Sequence, residues 1–176
     1  PFQGHPDRNH CDWIDVSTGA LGQGLSVGLG RAQAKNLKHQ KSFVFCIMGD
    51  GECQEGQTWE AAMYAGFQKI SNIILFIDYN NSQGDGNLNE ILELSSLSTK
   101  YDAFHWHVQE IDGHSHESIQ RAILNAKGNQ NQPSVIITHT RKGYLHSNQV
   151  LLNGAHSGKL SPEEFETAKS SLKGFI

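Results

Sequence analysis

Phe43-Val44-Phe45-Cys46-Ile47-Met48-Gly49-Asp50-Gly51 is the stretch that decides the fold. A short, unbroken apolar run closed by glycines reads as a strand buried on both faces. Asn72-Ile73-Ile74-Leu75-Phe76-Ile77 is a second such run, and it delivers Asp78-Tyr79-Asn80-Asn81 at its end. A helix is expected near 56–69 between the two runs, so the strands should lie parallel and end at the same sheet edge. That edge then holds the Asp50 carboxylate and, thirty positions on, the Asn80 carboxamide. Both are hard oxygen donors, suited to magnesium or calcium holding a diphosphate. Glycines beside Asp50 let the backbone come close to phosphates.

Working outward, residues 20–38 read as a helix that Ser17 or Thr18 can cap, with Leu21, Leu25, Val27, Leu29 and Ala32 forming an apolar face. Gly22, Gly24, Gly28 and Gly30 each cost about 1 kcal/mol relative to Ala in a helix, so close packing or close ligand approach must compensate. Further strands are expected at 43–48, 73–79, 105–111 and 134–138. Further helices are expected at 115–127, capped by Ser115, and from Ser161-Pro162-Glu163-Glu164 onward. Residues 82–90 and 141–160 read as loops. Apolar strands alternating with helices predict an α/β fold: a parallel sheet covered by helices on both faces. Gly49-Asp50-Gly51, Asn80, Asp112-Gly113 and the loop after Thr140 would then converge beyond the carboxyl ends of the strands.

The chain has 176 residues and a net charge of −4, which fits one domain, residues 1–176, with a sizeable core. It starts at Pro1 without Met or a signal-like segment, and we read it as incomplete at its N-terminus. No basic run suggests nucleic acid, and no apolar stretch approaches a membrane span. Cys11, Cys46 and Cys53 lack metal-ligand spacing; Cys46 belongs in a core strand, and the set fits a reducing cytoplasm. Trp59, Met63 and Phe67, at helical spacing, read as packing residues.

The Gly-Asp-Gly segment followed by Asn80 resembles the signature of thiamine-diphosphate enzymes. A longer set resembles the N-terminal half of transketolase: Gly4-His5-Pro6, Ser17-Thr18-Gly19-Ala20-Leu21-Gly22-Gln23-Gly24, Gly49-Asp50-Gly51-Glu52, Gln54-Glu55-Gly56, Trp59-Glu60-Ala61-Ala62 and Asp112-Gly113-His114 stand in order. This resemblance implies a thiamine-diphosphate-dependent transferase that moves a two-carbon ketol unit from a ketose to an aldose, with sugar phosphates as substrates. It implies thiamine diphosphate and Mg2+, with Ca2+ or Mn2+ as alternatives. Asp50, Asn80 and the backbone carbonyl of Ser82 would hold the metal. Gly49, Gly51 and Glu52 would join Asp50 and Asn80 in binding the cofactor, Thr18, Gly19, Ala20 and Leu21 would contact its aminopyrimidine and diphosphate, and His5 would stand beside the thiazolium ring and the donor hydroxyls. Glu55 and Glu60 match carboxylates near a subunit interface that link two active sites, although glutamates in a helix's first turn also favour its dipole.

The sequence departs from the family near its end, where a His-Gly pair usually contacts the diphosphate. Here the pair reads Asn153-Gly154, with His156 three positions later. Either His156 substitutes, or Asn153 donates the hydrogen bond, or the loop does neither. His114 reads as a loop histidine without a chemical role, and His105, His107, His116 and His146 lack metal spacing. In this family a second, pyrimidine-binding domain supplies a glutamate to the cofactor, and nothing after residue 160 is long enough to be that domain. The resemblance therefore implies either a split enzyme with a C-terminal partner subunit, in a dimer or heterotetramer, or a piece of a longer chain; the Gly51–Ala61 stretch favours the split form. Two other functions stay open: another thiamine-diphosphate reaction resembling deoxyxylulose-phosphate synthase, and a non-catalytic cofactor-binding subunit.

Overall fold

In the computed structural model, which describes residues 4–145 and 149–172, the apolar runs become a parallel sheet. In chain order, α1 spans Gln23–Leu37, β1 Val44–Gly49, α2 Gly56–Phe67 and β2 Ile73–Tyr79. A short hairpin follows, β3 at Ser82–Gln83 and β4 at Gly86–Asn87, then the short helices α3 (Leu88–Leu92) and α4 (Leu97–Ala103). The chain continues through β5 (His107–Asp112), α5 (His116–Gly128) and β6 (Ser134–His139). A second hairpin of β7 (Tyr144–Leu145) and β8 (Gln149–Val150) precedes α6 (Pro162–Leu172).

The main sheet runs β1-β2-β6-β5, every neighbour pair parallel. Because β2 is central, Ile73, Ile74, Leu75 and Ile77 are fully buried, each contributing about 1.5–3 kcal/mol. On one face α1, α2 and α4 press Leu25, Leu29, Ala62 and Tyr101 against Met48, Leu75 and Ile77. On the other, α5 packs Ala122 and Ala126 against Ile74 and Ile136. The expected fold, with helices on both faces, is the one observed.

Gly28 lies where α1 crosses the sheet: a Cβ there would sit 3.4 Å from Ile73 Cδ1. Close packing therefore offsets at least part of the helical glycine cost. The expected cap is not formed, however. Neither Ser17 nor Thr18 caps α1, whose N-cap is Gly22; Ser17 Oγ instead accepts the Arg8 N–H and donates to Asp7. Ser115 does cap α5, accepting the Ser118 N–H at 3.2 Å. Ser161 and Glu164 form a reciprocal pair at the start of α6, the arrangement of a capping box.

Three further readings change. The expected loop 82–90 contains β3 and β4, and the expected loop 141–160 contains β7 and β8. The helix α4 was not anticipated. It is capped by Ser96 and buries Leu97 and Tyr101, with Tyr101 between Trp59 and Trp106 at ring distances of 5.4 and 5.3 Å. Finally, Trp59 does pack, but Met63 and Phe67 do not: they are 48% and 80% exposed, because α2 buries Thr58, Ala61, Ala62, Ala65 and Gly66 instead. Among the described residues no helix is long and apolar enough to cross a membrane. His146 lies outside the described residues.

Candidate functional site

Strand register sets the rim. Gly49 pairs with Asp78, Tyr79 with His139, and Asp112 with His139, so the carboxyl ends of the strands stop level and the turns after them meet. Such an edge is where open α/β sheets bind ligands.

Asp50 follows β1 directly and is 1% exposed. Its Oδ2 accepts the N–H groups of Asn80 at 2.9 Å and Asn81 at 2.6 Å, and its Oδ1 accepts that of Gly51 at 2.9 Å. Burial pushes the Asp50 carboxyl up from its ordinary value and the nearby Asp78 carboxylate adds to this, while the N–H groups of Asn81, Gly51 and Asn80 pull it down. The carboxylate thus fastens the turn after β2 to the end of β1 and brings Asn80 and Ser82 beside it.

Asn80 Nδ2 donates to Asp78 Oδ2 at 3.0 Å, and its Oδ1 accepts the Ser82 N–H at 3.0 Å. Lys142, from the loop after β6, donates Nζ to the Ser82 carbonyl and to His156 Nδ1, each at 3.1 Å. Asp50, Asn80, Ser82 and His156 are therefore gathered at one place, with Lys142 added. The side chain of Asn153 lies outside what the structure describes.

These residues fit a divalent cation that bridges phosphates. They offer a carboxylate, a carboxamide and a carbonyl, all hard oxygen donors. Beside them, Asn81 Oδ1 and Gln83 Oε1 are buried without a hydrogen-bond partner, and buried oxygens of that kind call for a cation or water. Gln83 lies against Gly51, where a Cβ would sit 3.3 Å from Gln83 Cβ. No group of three or more His, Cys, Asp or Glu that could hold a metal occurs among the described residues. A metal here would complete its shell with ligand oxygens and water, the usual magnesium arrangement.

A second group of expected residues sits ahead of α1. The His5 ring lies against Gly19, where a Cβ would come within 3.2 Å of His5 Cγ, and the Thr18 N–H donates to the Pro6 carbonyl at 3.1 Å. Thr18, Gly19 and Ala20 line a shallow cavity of about 220 Å3. Leu21 is 56% exposed, with its carbonyl held by Gln57 Nε2 at 2.7 Å.

Glu52 joins the two groups. Its Oε2 accepts the Gly22 N–H at 2.8 Å and its Oε1 accepts the Gly49 N–H at 3.0 Å. Gly22 has φ 77°, a left-handed conformation that favours glycine. A Cβ there would also lie 2.9 Å from Glu55 Cβ. The Glu52 carboxylate is thus engaged with backbone of this chain. Glu55 and Glu60 are exposed at the start and on the outer side of α2.

Sequence reasoning passed over Lys142, in the loop after Thr140, and over Asp78 and Thr140 themselves, the Thr140 hydroxyl donating to Asp78 Oδ1. His114, by contrast, braces the structure. Its Nε2 accepts the Arg141 N–H at 2.9 Å and its ring stacks on Tyr144 at 3.7 Å. That contact fixes the loop carrying Lys142.

Comparison with known proteins gives the family. The family profile of the transketolase thiamine diphosphate binding domain matches residues 2–175. A 6-deoxy-6-sulfo-D-fructose transketolase subunit from Clostridium sp. (strain MSTE9) is 42% identical over 94% of this chain and 62% of its own length. An apulose-4-phosphate transketolase subunit from Phocaeicola vulgatus is 36% identical over 95% of this chain and 59% of its own. The chain thus spans about six-tenths of these relatives. Among solved structures, a Pichia stipitis transketolase mutant in complex with fructose 6-phosphate superposes with a TM-score of 0.86 at 26% identity, over 97% of this chain and 27% of that one. The Campylobacter jejuni transketolase gives 0.78 at 30% identity, over the same shares.

Proposed function

The chain belongs to the transketolase thiamine diphosphate-binding domain family, and from that premise we propose that it is the diphosphate-holding part of an enzyme that transfers a two-carbon ketol unit from a ketose to an aldose. The observation that carries this reading is the buried Asp50, at a strand end, with Asn80 and the Ser82 carbonyl beside it and two buried amide oxygens lacking partners.

In this reading Asp50, Asn80 Oδ1 and the Ser82 carbonyl hold Mg2+, which neutralises the diphosphate. Gly49 and Gly51 leave the backbone bare beside the phosphates. Lys142 and His156 add an ammonium and an imidazole to the same anion, and His156 takes the place of the family histidine. Thr18, Gly19, Ala20 and Leu21 flank the cofactor's ring system, and His5 hydrogen-bonds a sugar hydroxyl. When bound, thiamine diphosphate supplies the nucleophilic carbon that takes up and passes on the two-carbon unit. The protein's part is to position both partners and shield them from water.

The two relatives named as subunits support reading this chain as one subunit whose pyrimidine-binding counterpart sits on a partner chain. The exposed side of α2, with Glu60, Met63 and Phe67, supports a further protein contact there, with Glu55 and Glu60 close to it. The test is product analysis with the protein and its pyrimidine-domain partner: a ketose lengthening an aldose by two carbons supports the reading. Pyruvate consumption with release of carbon dioxide would point to the synthase-like reaction. Bound cofactor without turnover of any ketose would point to a non-catalytic subunit.

A further inference from the structure

A carboxamide presents two chemically opposite ends, and only its oxygen can hold a cation. What turns the Asn80 oxygen the right way is therefore part of any metal site built on it. The Asn80 amide is gripped at both ends: Nδ2 donates to Asp78 Oδ2 and Oδ1 accepts the Ser82 N–H, each at 3.0 Å. The nitrogen is thereby spent on a carboxylate oxygen, which leaves the amide oxygen on the opposite side. Asp78 in turn is held by the Thr140 hydroxyl, which donates to Oδ1. Thr140 has little freedom to leave. Its N–H donates to the Tyr79 carbonyl at 3.0 Å, and a Cβ on Gly113 would lie 2.5 Å from its Cγ2. The chain Thr140–Asp78–Asn80 crosses from the end of β6 to the end of β2, and the transketolase reading gives it no role.

We propose that Asp78 and Thr140 are positioning residues that set the orientation of the Asn80 amide, so that its oxygen, and not its nitrogen, faces the divalent cation. The inference rests on the reading of Asn80 as a metal-holding residue. Groups that orient a ligand in this way, without touching the metal, typically carry about 10–100-fold in metal affinity.

The experiment is a titration of Mg2+ against thiamine diphosphate binding, followed by calorimetry, on the full protein with its pyrimidine-domain partner. Thr140→Val keeps the side chain's shape and removes only its hydroxyl; about a tenfold rise in the Mg2+ needed for half-saturation is expected, with cofactor affinity at saturating Mg2+ unchanged. Asp78→Asn retains an acceptor for Asn80 Nδ2 and should fall between wild type and Asp78→Ala. The deciding comparison is Asp78→Ala in an Asn80→Ala background. If Asp78 acts through Asn80, it adds nothing there. An Asp78→Ala effect of full size without Asn80, or unchanged Mg2+ requirements in both Thr140→Val and Asp78→Ala, would overturn the inference. An unchanged requirement in Asn80→Ala itself would overturn the metal-site reading and this inference with it. Thr140→Val carries the test should Asp78→Ala fail to fold.

Discussion

Glu52 Oε2 accepts the Gly22 N–H at 2.8 Å across thirty residues of sequence, and Oε1 of the same carboxylate accepts the Gly49 N–H at 3.0 Å. One side chain thus satisfies an N–H at the start of α1, which lacks a side-chain cap of its own, and pins that helix to the end of β1. Glu52→Gln leaves a single oxygen for two N–H donors. Charged hydrogen bonds of this kind are worth about 1.5–3 kcal/mol, and partial exposure argues for the lower half of that range. A lower thermal midpoint is expected, together with weaker thiamine diphosphate binding, since Thr18–Leu21 and Gly49–Gly51 lose their mutual register. Unchanged cofactor affinity in calorimetry would show that the tie serves stability alone.

The strands were legible to within two residues at most ends because a strand buried on both faces must be apolar throughout, as Ile73–Ile77 is. The helix α4 was not, since only Leu97 and Tyr101 of its residues are buried, and packing against Trp59 and Trp106 decides its place. The site was half legible. Asp50 and Asn80 stand at strand ends and announce themselves by position. The tie on the Gly22 N–H at the start of α1 comes from Glu52, far along the chain, so no local pattern could reveal it. Lys142 reaches Ser82 across sixty residues, and a Lys-Gly pair in a loop carries no sign of that reach. Met63 and Phe67 follow helical spacing on a side of α2 that the described residues leave exposed.

Lys142 and His156 give a prediction specific for phosphate. Lys142→Met and His156→Ala should weaken thiamine diphosphate binding while leaving binding of unphosphorylated thiamine unchanged, because Lys142 Nζ reaches the Ser82 carbonyl and His156 Nδ1 lies against that same ammonium. A loss of about tenfold or more is expected for Lys142→Met, the scale of a charge-assisted contact. Equal losses for both ligands would place Lys142 outside the diphosphate site.

The acid limb of stability should depend on Glu110. The Ser98 hydroxyl and His139 hold its carboxyl below the ordinary value of 4.5, and His139 Nε2 lies 2.8 Å from Glu110 Oε2. A carboxylate whose folded value is lowered contributes stability that is present above its unfolded value and is lost as pH falls through the folded one. Glu110→Gln should therefore lower the thermal midpoint at neutral pH and flatten its decline at acid pH. The effect is modest because both side chains are about half exposed. Parallel midpoint curves from pH 7 to pH 3 would remove Glu110 from the account.

Thiol chemistry should separate the cysteines. Burial pushes the Cys53 thiol up to about 12 and the Cys46 thiol up to about 11, and the thiolate is the reactive form. Iodoacetamide at pH 8 should label Cys11, which is only half-buried, and spare the other two until the protein unfolds. Early labelling of Cys53, read by peptide mass spectrometry, would contradict its burial in the core.

Asp50 serves two ends, and substitution can part them. Its carboxylate accepts three backbone N–H groups, from Gly51, Asn80 and Asn81, and it is the anionic oxygen donor of the proposed metal site. Asp50→Ala leaves those donors buried without acceptors, at about 1–3 kcal/mol for each that water does not reach, so it should lower the thermal midpoint strongly. Asp50→Asn keeps one oxygen and turns an amide nitrogen toward the remaining donors, so its midpoint should fall between Ala and wild type. Both variants lose the negative charge, and both should lose Mg2+-dependent thiamine diphosphate binding when calorimetry is run well below either midpoint. Graded stability with equally complete loss of binding identifies the charge as what the cation requires. Asp50→Asn binding with the wild-type Mg2+ requirement would mean that Asp50 only fastens β1 to the Asn80–Asn81 turn, and the metal site would have to be sought elsewhere on the rim.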